Sequence, residues 1–501
     1  MAQRLFGALR APRPLWIAAR VLLACAATVE AQTLTSTVSG VIRDTQGGVL
    51  PGVTVMLTGR TGTRTALTDA AGAYRFQARL SRASGMLRPL IIALVVIASD
   101  TVPAHQRPDV GARLLHEPAV RAALQSAKDN EAQTIADQIR LCEIPAPPFK
   151  EAERGKAYAD LFRTAGLKHV RIDKAGNVLG ERPGQAARPH LVFSAHLDTI
   201  FPEGTNVKVK REGTVLRGPG IGDDCRGLAV VLGVIRALEK GRVQTPGTIT
   251  FVGTVGEEGL GDLRGVKELF RETLKNQIDR FVSVDGTGLG TTHAAVGSRR
   301  YRVTFRGSGG HSYGSFGVAN PIHALGRAID AVADFQVQQE PRTTFSVGRI
   351  GGGTSVNAIP TEAWMEIDLR SADPAALRSL DARFHKAVDQ ALAQENERWS
   401  HQGRLTVQTE LVGERPAGRT PPTAPIVDAA VSVSKALGLP VWLDAGSTDA
   451  NIPMSLNIPA IAIDGGGEGS GAHTPDEAFD TANSSLGTQR AVLLAIALAQ
   501  P

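Results

Sequence analysis

Leu191-Val192-Phe193-Ser194-Ala195, followed at once by His196-Leu197-Asp198, is the stretch on which the fold turns. A short and nearly continuous apolar run has the length of a strand covered on both faces, the usual pattern in a parallel sheet. Thr248 to Val252 and Phe281-Val282-Ser283-Val284 have the same character. Gly227 to Lys240, lying between them, sets Leu228, Val231, Leu232 and Ile235 on one face of a helix. Strand and helix alternate in this way after Asp109. The expected fold class is therefore α/β, around a mostly parallel sheet.

The pattern changes between Arg300 and Leu411. Arg300-Tyr301-Arg302-Val303-Thr304-Phe305 alternates as a half-exposed strand does, and Pro321 to Ala333 reads as a helix. Phe345 to Ile350 and Ala363 to Leu369 read as strands, Pro374 to Ala393 as a long helix, and Leu405 to Leu411 as a closing strand. Strand, helix, two strands, helix, strand is the ferredoxin-like α+β order. We expect such a unit over 299–411, inserted into a main domain formed by 110–298 and 412–501.

The N-terminal hundred residues are of another kind. The chain has 501 residues, 55 Lys+Arg and 49 Asp+Glu, a net charge of +6. Residues 1 to 104 hold eleven arginines, no lysine and four acids, so the basic excess lies there and the rest is near neutral. The basic balance is therefore no nucleic-acid signal, and no nucleic-acid partner is expected. Residues 1–32 have the grammar of a signal peptide: Arg4, Arg10 and Arg13, an apolar stretch from Leu15 to Ala27, then Val29-Glu30-Ala31. Leu22-Leu23-Ala24-Cys25 also resembles a lipoprotein box, which would make Cys25 a lipid anchor. The expected location is outside the cytoplasm, periplasmic or secreted, with membrane anchoring as a variant. Within 33–85, Val38 to Phe76 reads as a fragment of a small β-sandwich, with turns at Gly47, Gly48, Pro51 and Gly52. Residues 86–109 open with Met86 and carry a second apolar run, Leu90 to Ala98, too short to span a bilayer. The polypeptide could therefore begin at Met1 or at Met86. Three cysteines exclude a disulfide scaffold; Cys142 and Cys225 carry no pairing signal, and Cys225 reads as a small buried thiol.

In a parallel sheet, reactive groups gather beyond the carboxyl ends of the strands. Those positions here are rich in ligands. They are His196-Leu197-Asp198, Gly222-Asp223-Asp224, Gly256-Glu257-Glu258-Gly259, Asp285-Gly286 and Ala472-His473-Thr474-Pro475-Asp476-Glu477. Any one of these carboxylates taken alone is better read as a helix cap or a surface group. Five such segments in one chain favour a site. Imidazole with carboxylate suits zinc or a similar first-row ion better than calcium. Two neutral histidines, three carboxylates and a bridging hydroxide balance two divalent cations about 3.5–4 Å apart.

At these residues the sequence resembles the zinc-dependent exopeptidase and amidohydrolase family of glutamate carboxypeptidase, peptidase T, succinyl-diaminopimelate desuccinylase and acetylornithine deacetylase. The similarity runs from about residue 120 to the end. It implies that His196 and Asp285 bind one metal ion, Glu258 and His473 the other, and that Asp223 bridges them. It implies two zinc ions, with cobalt or manganese as alternatives. Asp198 is then expected to orient the His196 imidazole, and Glu257 to act as general base on a metal-bridging hydroxide. Successive side chains on an extended segment diverge, so the adjacent glutamates can do different work. The family's bridging aspartate is followed by a cis peptide, implied here for Asp223-Asp224, while Asp224 could equally be a cap for the helix near Gly227.

The resemblance extends into the insert and makes it a dimerisation or lid domain. Gly307-Ser308-Gly309-Gly310-His311-Ser312 matches a loop whose histidine reaches a partner subunit's site and stabilises the oxyanion; a flexible loop with a solvated His311 is the plainer reading. Asn357 and Arg370 match positions that grip a substrate carboxylate, although Arg370 could instead pair with Asp368 or Asp373. Gly446-Ser447-Thr448-Asp449 resembles another substrate-lining loop, giving Thr448. Separately, Val38 to Asp44, Pro51-Gly52-Val53 and Thr68 to Phe76 resemble a carboxypeptidase regulatory-like module. The expected activity is hydrolysis of small peptides by a dinuclear metallopeptidase acting as a homodimer. A deacylase for N-acyl amino acids is the alternative, and a non-catalytic outer-membrane binding module the second.

Overall fold

A computed structural model of the chain describes residues 109–399 and 403–501 and Asp69. Nearer the N-terminus it describes the backbone of Thr35–Val41, Thr54–Gly59, Gly62–Leu67, Ala73–Arg79 and Ala93–Ile97. The expected signal peptide with Cys25, and most of 86–109, lie outside the described residues. The chain divides into two units, Met1–Val102 and Pro103–Pro501. In the first, Thr35–Val41 pairs antiparallel with Ala73–Arg79. Thr54–Gly59 lies between Gly62–Leu67 and Ala93–Ile97, antiparallel to both.

The second unit is built on a nine-stranded sheet. At its centre Ala460–Ile463, Arg280–Val284, His190–His196 and Thr248–Thr254 lie side by side and parallel. Outside them antiparallel pairs enter the sheet, although Leu443–Gly446 runs parallel to Thr291–Ala295. Val178–Arg182 pairs antiparallel with Thr248–Thr254 and with Lys168–Ile172, and Thr291–Ala295 pairs antiparallel with Ala460–Ile463. The sheet is thus mixed, which corrects the expectation of a mostly parallel one. The reason is local: the turn after Lys168–Ile172 is too short for a crossover, so the chain can only double back. Asp173 closes that turn by accepting from the amides of Ala175, Gly176 and Asn177.

Alternation along the central strands divides the core. Leu191, Phe193, Ala195, Val282, Ile461 and Ile463 join one apolar cluster, with the helices Pro118–Asp129, Cys225–Lys240, Pro425–Ala436 and Ser485–Leu498. Val192, Val252, Phe281, Ala460 and Ala462 join another on the opposite face. Phe193 and Phe251 are fully buried with ring centroids 6.2 Å apart, and each such side chain contributes about 1.5–3 kcal/mol by leaving water. Packing on both faces makes the strand ends a fixed platform.

Gly297–Arg306, Pro321–Ala333, Thr343–Gly352, Glu362–Ser371, Pro374–Arg398 and Thr406–Arg415 follow the expected order of strands and helices. Their four strands form a separate antiparallel sheet, ordered Thr343–Gly352, Glu362–Ser371, Gly297–Arg306, Thr406–Arg415. Along Glu362–Ser371, Ala363, Met365, Ile367 and Leu369 are buried among apolar side chains of the two helices. Trp364, Glu366, Asp368 and Arg370 therefore line the other face, where Arg300 stands opposite Asp368. Among the described residues no helix is long and apolar enough to cross a membrane.

Candidate metal centre

Three neighbouring parallel strands deliver the first ligands. His196 ends His190–His196, Glu257 and Glu258 follow Thr248–Thr254, and Asp285 follows Arg280–Val284. Asp223 comes from the glycine-rich turn before Cys225–Lys240, and His473 from the turn between Glu468–Ser470 and Ala478–Asp480. The Asp223 carboxylate lies between the two imidazoles: Oδ1 is 3.0 Å from His196 Nε2 and Oδ2 is 3.0 Å from His473 Nε2. His473 Nε2 is also 2.9 Å from Glu258 Oε1. Donor atoms of His196, Asp223 and Asp285 lie within 4.8 Å of one another, as do those of Asp223, Glu258 and His473. Asp223 belongs to both groups, so the five residues form a two-part donor set around one shared carboxylate. His196, Glu257 and Glu258 form a third such group.

Asp224 and Asp198 brace this set. The Asp223–Asp224 peptide is cis. Asp224 Oδ1 accepts from the Gly227 amide and caps Cys225–Lys240, while Oδ2 accepts from the His196 amide at 2.9 Å. Both readings of Asp224 therefore hold together. The Asp198 carboxylate accepts from the amides of Glu257 (3.0 Å) and Glu258 (2.8 Å). His196 Nδ1 lies 3.1 Å from the Asp198 carbonyl oxygen and 3.7 Å from its carboxylate. The Asp198 atom nearest the imidazole is thus its carbonyl oxygen, while its side chain binds the backbone of the two glutamates.

The charges are out of balance in a way a cation relieves. Hydrogen bonds to Asp223 and Glu258 push His473 up to about 10, outweighing its partial burial. Burial acts against ionisation of Asp223, but hydrogen bonds from His196 and His473 hold its carboxyl below the usual range. Burial, with Asp223 and Glu258 close by, pushes Asp285 up to about 7 although His196 opposes it. Burial also raises Glu257, with Arg415 acting in the opposite sense. Protons thus offset an excess of carboxylates that metal ions would otherwise neutralise. Softer imidazole and harder carboxylate donors together fit zinc or a similar ion.

A cavity of about 320 Å³ opens onto Asp223, Glu257, Glu258, Asp285 and His473, and Arg300, Arg370, Arg415 and Ser447 line it as well. Arg370 lines the cavity, with Nε 2.5 Å from Asp368 Oδ2. The pairing with Asp368 and the place in the cavity coexist. Asp368 Oδ1 in turn accepts from Arg300 Nε at 3.3 Å. His311 and Asn357 are exposed and absent from this lining. The short strand Gly310–His311 pairs with Ala358–Ile359, which begins one residue after Asn357, and the Asn357 carbonyl oxygen accepts from the Ser312 amide. Thr448 is buried with its hydroxyl accepting from the Ala450 amide, and the neighbouring Ser447 faces the cavity instead. Arg300 and Arg415 were not among the expected site residues, and Ser447 and Glu477 were read only as members of segments from which Thr448 and His473 were chosen. Alternation along Arg300 to Phe305 could have flagged Arg300, and Glu477 stood four residues past His473. Arg415 carried no local signal.

Parallel strand ends bearing imidazoles and carboxylates in two overlapping groups define an α/β protein with a candidate metal centre. The chain belongs to peptidase family M20/M25/M40, whose model matches residues 192–499. It is 27% identical over 353 residues to the uncharacterized protein YqjE of Bacillus subtilis strain 168, covering 67% of this chain and 90% of that one. It is 25% identical over 347 residues to a succinyl-diaminopimelate desuccinylase of Corynebacterium glutamicum, covering 68% and 89%. The fold is similar to that of a tripeptidase from Staphylococcus aureus subsp. aureus Mu50, with a TM-score of 0.61, 23% identity, and coverage of 74% of this chain and 98% of that one.

Proposed function

We propose that the chain is a dinuclear metallopeptidase that hydrolyses small peptides bearing a free carboxylate. The observation that carries this reading is Asp223 set between His196 and His473, 3.0 Å from each. His196 and Asp285 would hold one ion, Glu258 and His473 the other, and Asp223 would be shared. Zinc suits these donors best, with cobalt or manganese as alternatives. When bound, such a pair supplies Lewis-acid activation of water and of the scissile carbonyl.

The remaining work falls to the chain's own side chains. Glu257 lines the cavity beside Glu258. Its carboxylate takes the proton of the attacking water and returns it to the leaving amine. The backbone bonds to Asp198 hold Glu257 and Glu258 in register for these separate tasks. Arg300 and Arg370, fixed by Asp368, present guanidinium groups suited to a substrate carboxylate. The four-stranded unit, ferredoxin-like in its order, would serve as lid and dimerisation domain over 299–411. His311 lies outside this chain's cavity, so its oxyanion role requires a second subunit. Exposed Tyr313, Phe316 and Val356 near that loop support such an association. We further propose export, on the strength of residues 1–32.

A deacylase acting on N-acyl amino acids is the second reading, favoured by the desuccinylase relative. Metal analysis of the purified protein, with kinetics on di- and tripeptides against N-acetyl and N-succinyl amino acids, tests both. Preference for the acyl substrates replaces the peptidase reading. Absence of bound metal, with none taken up on addition, removes the enzyme reading and revives a binding module.

A further inference from the structure

Glu477 is 2% exposed, and both of its carboxylate oxygens are used by backbone. Oε1 accepts from the amides of Gly222 (2.8 Å) and Asp223 (3.0 Å), and Oε2 from that of Gly220 (3.0 Å). Its carbonyl oxygen accepts from the Gly218 amide at 3.0 Å. One residue thus satisfies four amides of the turn that carries Asp223. The turn is shaped for it: Gly220 has φ +78, and a Cβ on Gly222 would stand 3.1 Å from Glu477 Oε1. The same short segment also carries His473, four residues earlier, and is closed by Thr474 N to Gly471 O and Glu477 N to Thr474 O. His473 reaches back to Asp223 Oδ2. A ring results, running from the Asp223 carboxylate to His473, along the chain to Glu477, and through its carboxylate to the Asp223 amide.

We propose that Glu477 is a positioning residue that locks the Asp223 turn to the His473 turn and so sets the separation of the two donor groups. The proposal rests on the metal reading above. Because Asp223 belongs to both groups, a shift of its turn changes the bite of the whole set. A buried carboxylate beside the donors also adds negative charge without occupying a coordination position. Partners of this kind, one bond removed from the ligands, typically govern metal affinity 10- to 100-fold.

The test is Glu477→Gln in the full chain. The amide oxygen can keep the bonds from Gly222 and Asp223, but its NH2 group then faces the Gly220 N–H, donor against donor. Zinc affinity is read by competition with a chromophoric chelator, and geometry by the visible absorption of the cobalt form. The expected result is a folded variant whose weaker zinc site loses affinity 10- to 100-fold, with an altered cobalt spectrum and kcat reduced more than KM. Unchanged zinc affinities and an unchanged spectrum in a folded variant overturn the proposal alone. Unaltered protein that fails to bind two zinc ions overturns the metal reading and the proposal with it. If the variant does not fold, amide exchange in the unaltered protein decides. Protection at Gly220, Gly222 and Asp223 that rises with zinc supports the role, and exchange there as fast as in an exposed loop removes it.

Discussion

Arg415 holds Glu257 twice: Nη1 donates to Oε1 at 2.8 Å, and Nη2 donates to the Glu257 carbonyl oxygen. Both side chains are almost fully buried. The residue proposed to move protons is therefore anchored by a guanidinium from the end of Thr406–Arg415, a strand of the other sheet. The Arg415 Nη1 also donates to Ser447 Oγ at 3.1 Å, tying in a third segment of the cavity wall.

Arg415→Met should therefore strand a buried carboxylate. Breaking such a pair typically costs about 3–5 kcal/mol, so a lower Tm is expected together with a loss of turnover. Bound metal should persist, since Arg415 is absent from the donor groups. Thermal melting, kcat and metal content measured together check this, and a variant as stable and active as the parent removes the anchoring role.

Glu257→Gln keeps the side-chain volume and removes the proposed base. We expect turnover to fall by about 10²–10⁴, the usual contribution of general acid–base catalysis, with metal content unchanged. Near-parental kcat would assign the proton transfer to another group.

Chelation should abolish activity and zinc should restore it, with affinity rising as pH rises. The sign follows from His473, held up to about 10 in the metal-free centre by Asp223 and Glu258. At neutral pH the imidazole is protonated there, and a metal must displace that proton before it can bind. Zinc titrations in weak buffer between pH 6 and 9 should show proton release; affinity independent of pH would contradict the coupling.

Asp449 offers a stability test in the metal-free protein. Burial pushes its carboxyl up to about 6, against the hydrogen bond from Thr254. Its Oδ2 accepts from Thr254 Oγ1 at 2.5 Å and, among the described residues, Oδ1 has no partner. The folded state then holds a proton that the unfolded chain releases near 4. Its contribution is complete below pH 4 and is lost as pH rises towards 6, on the order of 2–3 kcal/mol across the window. Asp449→Asn should flatten that part of the stability curve, and identical pH profiles for variant and parent would refute the assignment.

Much of this was legible from order along the chain. His196, Glu257, Glu258 and Asp285 each end a short apolar run, and a packed sheet brings such ends together wherever the runs are neighbours. The helix Pro321–Ala333 and the alternation within Glu362–Ser371 were readable for the same reason, since local periodicity reports which face is covered. The antiparallel margins of the main sheet were not, because strand direction depends on pairing partners as well as on the apolar run itself. Nor was the use of the Asp198 carboxylate, which accepts from amides 59 and 60 residues away.

The amino-acid sequence by itself determined the α/β class, the order of elements between Gly297 and Arg415, and which imidazoles and carboxylates stand at strand ends, because these follow from local pattern. Tertiary structure alone decided that Arg415 meets Glu257 across 158 residues and that Glu477 clamps the Asp223 turn across 254. It also decided that His311 and Asn357 sit apart from the cavity their own chain forms. Such relations rest on which surfaces pack together, and a buried charge finds its partner only once the strands that carry both have been brought into contact.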